Sequence, residues 1–189
     1  ALSVLVNGDI VAGTYAKTVD IFSAHAAAGQ EQGIPYVSHN ASGNVLFFVA
    51  LPNGGVAIGT ESYQVELFGL DAFTQEGQWK PYVSLELSYL YEASVVLTNG
   101  DIAVAAGTVV ELFSAEAVMG KGKRTPYASL TTKHPTLDLL ALPGGGLLVG
   151  TTREEVELFS TNMVSDRQPY VDLIACGYII ALLALPSGG

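Results

Sequence analysis

Basic residues, cysteine and long apolar runs are what this chain has least of, and each shortage removes a class of function. Eight Lys and Arg stand against eighteen Asp and Glu, a formal charge of −10. Charge of that sign repels phosphate backbones, so nucleic acid is not an expected partner. The local exception, Lys121, Lys123 and Arg124 between Gly120 and Pro126, has no interleaved aromatics and reads as a solvated loop. The lone Cys176 cannot form a disulfide within the chain, and in the apolar run Ile174-Ala175-Cys176 it reads as a buried thiol with no basic neighbour to activate it. Such cysteine usage points to a reducing compartment, with the cytoplasm favoured. The sequon Asn40-Ala41-Ser42 would matter only after secretion. The longest apolar stretch, Leu173 to Pro186, has 14 residues. A bilayer needs roughly 20, so no membrane span is expected. The chain opens at Ala1 inside a repeat, without a basic stretch leading into a cleavable leader, so a missing natural start is the expectation.

Catalytic signatures are equally scarce. His25, His39 and His134 lie far apart, each expected in a loop or turn, and no Cys-x-x-Cys supports a zinc site. Gly120-Lys121-Gly122-Lys123-Arg124-Thr125 lacks both the glycine five residues ahead of either Gly-Lys pair and the hydroxyl directly after it that a phosphate loop needs. No Gly-x-Ser-x-Gly elbow occurs, and adjacent carboxylates such as Glu154-Glu155 point to opposite faces of a strand. No catalytic, metal or cofactor-binding residues are therefore assigned, no cofactor is expected, and the binding residues are left open.

What the chain does have is repetition. Turn pairs at Asn7-Gly8, Asn53-Gly54, Asn99-Gly100 and Gly144-Gly145 are each followed by an apolar segment and a closing phrase Val-Asp/Glu-Ile/Leu-Phe. The phrase ends at Phe22, Phe68, Phe113 and Phe159, spaced 46, 45 and 46 apart, and Tyr36, Tyr82, Tyr127 and Tyr170 recur at 46, 45 and 43. With 49% hydrophobic and 14% charged residues, these units can fill a core. Self-similarity at this period means one supersecondary unit stacked on copies of itself.

Short β-rich runs flank each turn, as in Val45 to Leu51 and Val56 to Gly59. Asn-Gly between such runs signals a tight hairpin. Val65-Glu66-Leu67-Phe68 supplies a third strand, and Pro81-Tyr82-Val83-Ser84-Leu85 a fourth, reached by a longer loop. The unit is a four-stranded antiparallel meander, apolar on both faces, which suits sheets packed on sheets. No sustained helical period occurs; Ala24 to Gln32 has room for one helical turn. The third-strand carboxylates Asp20, Glu66, Glu111 and Glu157 are expected at a solvated rim, where charge discourages edge association, and a metal ring would require them to converge.

Asn7-Gly8-Asp9-Ile10 through Val19-Asp20-Ile21-Phe22 resembles the second and third strands of a WD40 blade, with Phe in place of the family's usual Trp. The family's tight-turn Asp would fall near Ala16, Ser62, Gly107 and Arg153, none acidic, and its Gly-His pair is missing, with Lys133-His134 the nearest approach. Val-Glu-Leu-Phe followed by Gln78-Trp79-Lys80-Pro81-Tyr82 is similar to a kelch repeat, without that family's double glycine. Either resemblance implies an all-β propeller of four-stranded antiparallel blades in one domain. The four repeats of about 46 residues fall at approximately 1–44, 45–92, 93–136 and 137–178, and 179–189 repeats the first strand of a fifth. Three explanations fit that remainder, in this order: a fragment of a six- to eight-bladed ring, half of a ring completed by a second copy, or a closed four-bladed ring with a spare strand. Members of both families mostly serve as platforms, so the resemblance implies a non-enzymatic scaffold for a protein or peptide partner, or a homo-oligomer that completes its own ring. The alternative is a carbohydrate-binding or hydrolytic propeller, for which the four repeated tyrosines would be the aromatic platforms; blade packing is the expected use of those tyrosines.

Overall fold

The computed structural model describes residues 1–30, 32–74, 77–88, 93–160, 168–175, 179 and 181–183. Cys176 and the fifth repeat beyond Leu183 lie outside the described residues. The described chain is all-β, with sixteen strands in four antiparallel four-stranded sheets and few helical residues. Sheet 1 holds β1 (Leu2–Val4), β2 (Ile10–Gly13), β3 (Thr18–Phe22) and β4 (Val37–Asn40); sheet 2 holds β5 (Val45–Ala50), β6 (Val56–Thr60), β7 (Gln64–Phe68) and β8 (Val83–Glu86). Sheet 3 holds β9 (Ala93–Val96), β10 (Ile102–Ala106), β11 (Val109–Phe113) and β12 (Ala128–Thr131); sheet 4 holds β13 (Thr136–Ala141), β14 (Leu147–Thr151), β15 (Glu155–Phe159) and β16 (Val171–Ile174). Every sheet is a meander whose strands pair in chain order, as the repeat predicts.

The first turn of each sheet is looser than the two-residue hairpin expected of Asn-Gly. Gly8 N–H donates to Leu5 C=O at 2.9 Å and Leu5 N–H to Asp9 C=O at 2.8 Å, and the same pair of bonds recurs at Leu51, Leu97 and Leu142. This is a three-residue loop in which only the glycine, at φ of +84° to +91°, takes the left-handed conformation. Asn7 and Asn99 instead turn their side chains inward, each Oδ1 accepting the N–H of the aspartate two residues on.

Two compact units divide the chain, Ala1–Glu86 and Leu87–Gly189. In the first unit, Val11, Val19 and Ile21 of sheet 1 share one buried cluster with Val56, Ile58 and Phe68 of sheet 2. In the second, Ala103, Val110 and Leu112 of sheet 3 share a cluster with Leu147, Val149 and Phe159 of sheet 4. The two clusters use matching register positions. They are the same interface built twice.

The units match in detail, so the true repeat is a pair of sheets. Sheets 1 and 3 carry Asn-Gly-Asp turns and a one-turn helix after the third strand, α1 (Ala24–Ala27) and α2 (Ala115–Val118). Ser23 and Ser114 cap these helices, their hydroxyls accepting from Ala26 N–H and Ala117 N–H. Sheets 2 and 4 have Leu-Pro before the turn and a register shift in the first strand, between Val45 and Phe47 and between Thr136 and Asp138.

Close approach of the sheets needs glycine at one point in the first unit. A Cβ on Gly13 would stand 2.2 Å from Val45 Cγ1 and 2.9 Å from the Phe48 ring. Gly13→Ala is expected to destabilise the chain by about 1–3 kcal/mol through overpacking, read as a lowered urea midpoint with an unchanged slope.

Candidate functional site

A meander places its first-to-second turn and third-to-fourth connection at one end, and its second-to-third turn and exit to the next sheet at the other. The first end is a structural clamp. In sheet 1, Asp9 Oδ1 accepts Ala24 N–H at 2.9 Å, the first amide of α1, and Oδ2 accepts the Tyr36 hydroxyl at 2.7 Å. Sheet 3 repeats it, with Asp101 accepting from Ala115 N–H and from the Tyr127 hydroxyl, both at 2.7 Å. Burial, reinforced by the Asp9 hydrogen bond and charge, pushes the Tyr36 hydroxyl up to about 12; the same causes, with Asp101 as partner, raise Tyr127. Sheet 2 has Gly55 in place of the aspartate, and Asn53 Nδ2 donates there to Tyr82 Oη at a long 3.4 Å. Tyr170 is 61% exposed. Two of the four repeated tyrosines thus clamp their own sheets.

Near the opposite end the third-strand carboxylates depart from the solvated rim expected of them. Glu111 is 2% exposed and Glu157 fully buried. Each accepts a hydrogen bond from the connection that enters its sheet: Glu111 Oε2 from Ser88 N–H at 3.2 Å, Glu157 Oε1 from Lys133 N–H at 2.8 Å, and Glu66 Oε2 from the Ser42 hydroxyl at 3.1 Å. The spacings of 23, 24 and 24 residues make this one device used three times. Asp20 accepts the Ser38 hydroxyl of its own sheet. The three glutamates bond to connections, and among the described residues no group of three or more His, Cys, Asp or Glu could hold a metal ion.

The second-to-third turns themselves carry an unusual backbone. Lys17, Tyr63 and Glu154 have φ of +61°, +59° and +64°, the only described non-glycine residues in the left-handed region. Each sits five residues before its sheet's Phe, as the third residue of a three-residue loop, and each is exposed. A threonine pins every one of these turns: Thr14, Thr60 and Thr151 Oγ1 accept the N–H two residues on, at 3.1, 3.4 and 3.5 Å. The first-to-second turns fill the equivalent left-handed position with glycine all four times. Sheet 3 has a two-residue turn with Gly107 left-handed. Gly107 was the one sequence signal of this position, because it alone marks the spot with a residue suited to it. Tyr15, 78% exposed, stands in the same turn as Lys17.

Other sequence candidates fall outside this arrangement. Lys121, Lys123 and Arg124 form an exposed loop. His39 is a strand residue of β4, correcting its expected loop position, because its ring is needed as packing: it stacks on Trp79 at 4.4 Å, and Trp79 stacks on Phe68 at 4.2 Å. Trp79 Nε1 donates to Asn40 C=O at 2.8 Å, tying sheet 2's long connection to sheet 1. His25 lies in α1 and His134 in the connection to sheet 4, where its Nε2 is 3.9 Å from Glu155 Oε2.

No protein-family model matches this chain, and no curated protein matches it.

Removing the clamp hydroxyl in Tyr127→Phe is expected to cost about 1.5–3 kcal/mol, because it strips a buried carboxylate of a hydrogen bond. Tyr82→Phe, at the position where Gly55 replaces the aspartate, should cost less than Tyr127→Phe; chemical denaturation of both variants checks the contrast. Stability should also respond to pH in two opposed ways. Burial lowers His39 below its ordinary 6.5, so the unfolded chain binds the proton first and the His39 contribution, full above 6.5, is lost as pH falls through and below that value. Burial raises Glu157 above its ordinary 4.5, so its contribution is full below 4.5 and is lost as pH climbs from there towards the raised value. Melting curves of His39→Phe and Glu157→Gln across pH should each lack one of the two slopes.

Proposed function

We propose that the four sheets are propeller blades of WD40-like character and that the chain is a non-enzymatic scaffold which recognises a protein or peptide through its second-to-third turns. The meander order, the blade-length repeat and the sheet-on-sheet clusters support the propeller reading. One observation carries the recognition: Lys17, Tyr63 and Glu154 hold a strained backbone for no packing return. A non-glycine residue in this region costs on the order of 1 kcal/mol. Three of them cost about 3 kcal/mol, against a total stability of about 5–15 kcal/mol for a domain. The chain uses glycine at the other end of every sheet, so glycine is compatible with the fold. Retaining one base, one aromatic and one acid on the same pinned turn is what presentation of distinct side chains requires. Within the first unit, sheets 1 and 2 pack on each other and carry Lys17 and Tyr63 on their second-to-third turns, which makes those turns a face for a partner.

The carbohydrate reading draws less support, since Tyr36 and Tyr127 have their hydroxyls engaged by Asp9 and Asp101.

Peptides selected from a random display library on the immobilised chain should bind saturably. The triple change Lys17→Gly, Tyr63→Gly, Glu154→Gly should leave stability unchanged or raise it by up to about 1 kcal/mol. The same change should weaken the selected peptides by about tenfold or more, roughly 1.4 kcal/mol. Equal binding by the triple variant, or no saturable peptide while a glycan array binds, overturns the reading.

A further inference from the structure

One connection lashes together the second-to-third turns of sheets 1 and 2. Ala41 N–H donates to Lys17 C=O at 2.8 Å, Val45 N–H to Thr14 C=O at 3.2 Å, and Glu61 N–H to Asn44 C=O at 3.2 Å. Side chains tighten the same join, with Asn44 Nδ2 donating to Glu61 Oε2 at 2.9 Å and the Ser42 and Thr60 hydroxyls 2.9 Å apart. Two aromatic rings stand out from this base: Tyr15 is 78% and Tyr63 48% exposed. Among the described residues neither hydroxyl has a hydrogen-bond partner, in contrast to the clamped Tyr36 and Tyr127. The exposure belongs to the turn itself, since Glu61, which holds in sheet 2 the position of Tyr15, is exposed with the connection beside it. An aromatic side chain on a fixed base loses little freedom when a partner covers it.

What surrounds the rings selects among the ways of holding a peptide. An added β-strand needs unpaired backbone along an edge, and the backbone here is already bonded between turn and connection. An amphipathic helix needs an apolar groove, whereas Ser42, Asn44, Glu61 and Ser62 make the surface between the rings polar. A polyproline II segment needs neither. It presents the same edge every third residue, at about 3.1 Å per residue and so about 9 Å per turn, and it bonds none of its own carbonyls. Sheets 1 and 2 share one buried cluster, and sheets packed face to face stand about 10 Å apart, which sets the two turns at nearly that spacing. Successive turns of such a segment therefore meet Tyr15 and Tyr63 in succession, and the two hydroxyls and the Lys17 ammonium supply the donors its free carbonyls lack.

We infer that the first unit binds a proline-rich segment in the polyproline II conformation, laid across Tyr15 and Tyr63 with Lys17 donating to one of its carbonyls. The inference rests on the reading of the second-to-third turns as the recognition face and names the chemistry that face takes. It also gives Tyr63 a use that explains its left-handed backbone, because the ring it carries is one of the two contacts that fix the spacing.

Sequencing the peptides selected on the immobilised full chain tests it, followed by fluorescence-anisotropy titration of the commonest one carrying a dye. The expected pool is enriched in prolines three residues apart. Tyr15→Ala and Tyr63→Gly, the second of which keeps the left-handed turn, should each weaken that peptide about tenfold or more. Replacing its two spaced prolines by alanine, which leaves the protein untouched, should weaken it as much. Saturable peptides without proline enrichment, or a proline-rich peptide indifferent to Tyr15 and Tyr63, overturn this inference and leave peptide recognition by the turns standing. A pool with no saturable peptide overturns both.

Discussion

Apolar side chains on both faces of every sheet are the constraint from which the rest of this protein follows. In β6 and β10 all five residues are buried, so neither face can be left to water. The two clusters within the units supply such cover, pairing sheet 1 with sheet 2 and sheet 3 with sheet 4. Glycine at Gly13 makes that partnership close enough to pack, because any Cβ there would meet the next sheet's first strand. The phenylalanines that end the third strands complete the interior, with Phe68, Phe113 and Phe159 among the largest fully buried side chains.

Stacking sheets by their faces leaves the connections to be organised by polar groups. The answer is a carboxylate in the third strand that receives each entering connection, even where the carboxylate is fully buried, as at Glu157. Burying a charge is costly, and the raised proton affinity of Glu157 is the sign of that cost. The backbone N–H it receives offsets part of the loss and fixes where the chain crosses between sheets. At the other end, Asp9 and Asp101 each gather a helix amide and a tyrosine hydroxyl on one carboxylate, tying a turn to a helix and to the residue that leads into the fourth strand.

The candidate site depends on this rigidity. Lys17, Tyr63 and Glu154 occupy a strained conformation that the strand pairs on either side enforce, and the threonine in each turn fixes its direction. Sequence alone pointed past these positions, since left-handed backbone is normally inferred from glycine and only Gly107 offers one. The loops after the third strands also looked dissimilar, Ala24 to Gly33 against Ala115 to Thr125, yet both begin with a serine-capped helical turn, because the cap and the aspartate behind it matter more than the residues between. The long third-to-fourth connection of sheet 2 lacks both and instead carries Trp79 across to Asn40.

By itself the sequence determined the all-β class, the strand order within each sheet and the four-fold repetition, because these rest on alternation, turn residues and spacing that act over a few positions. It also placed Phe22, Phe68, Phe113 and Phe159 at equivalent points, since a period is visible without coordinates. Tertiary structure alone decided that Glu111 and Glu157 lie inside, that Asn-Gly makes a three-residue loop, that sheets repeat as pairs, and that Lys17, Tyr63 and Glu154 stand exposed in left-handed turns. The physical reason is common to all four: burial and backbone strain are set by what packs against a residue from a distant part of the chain, and a local pattern carries no record of that neighbour.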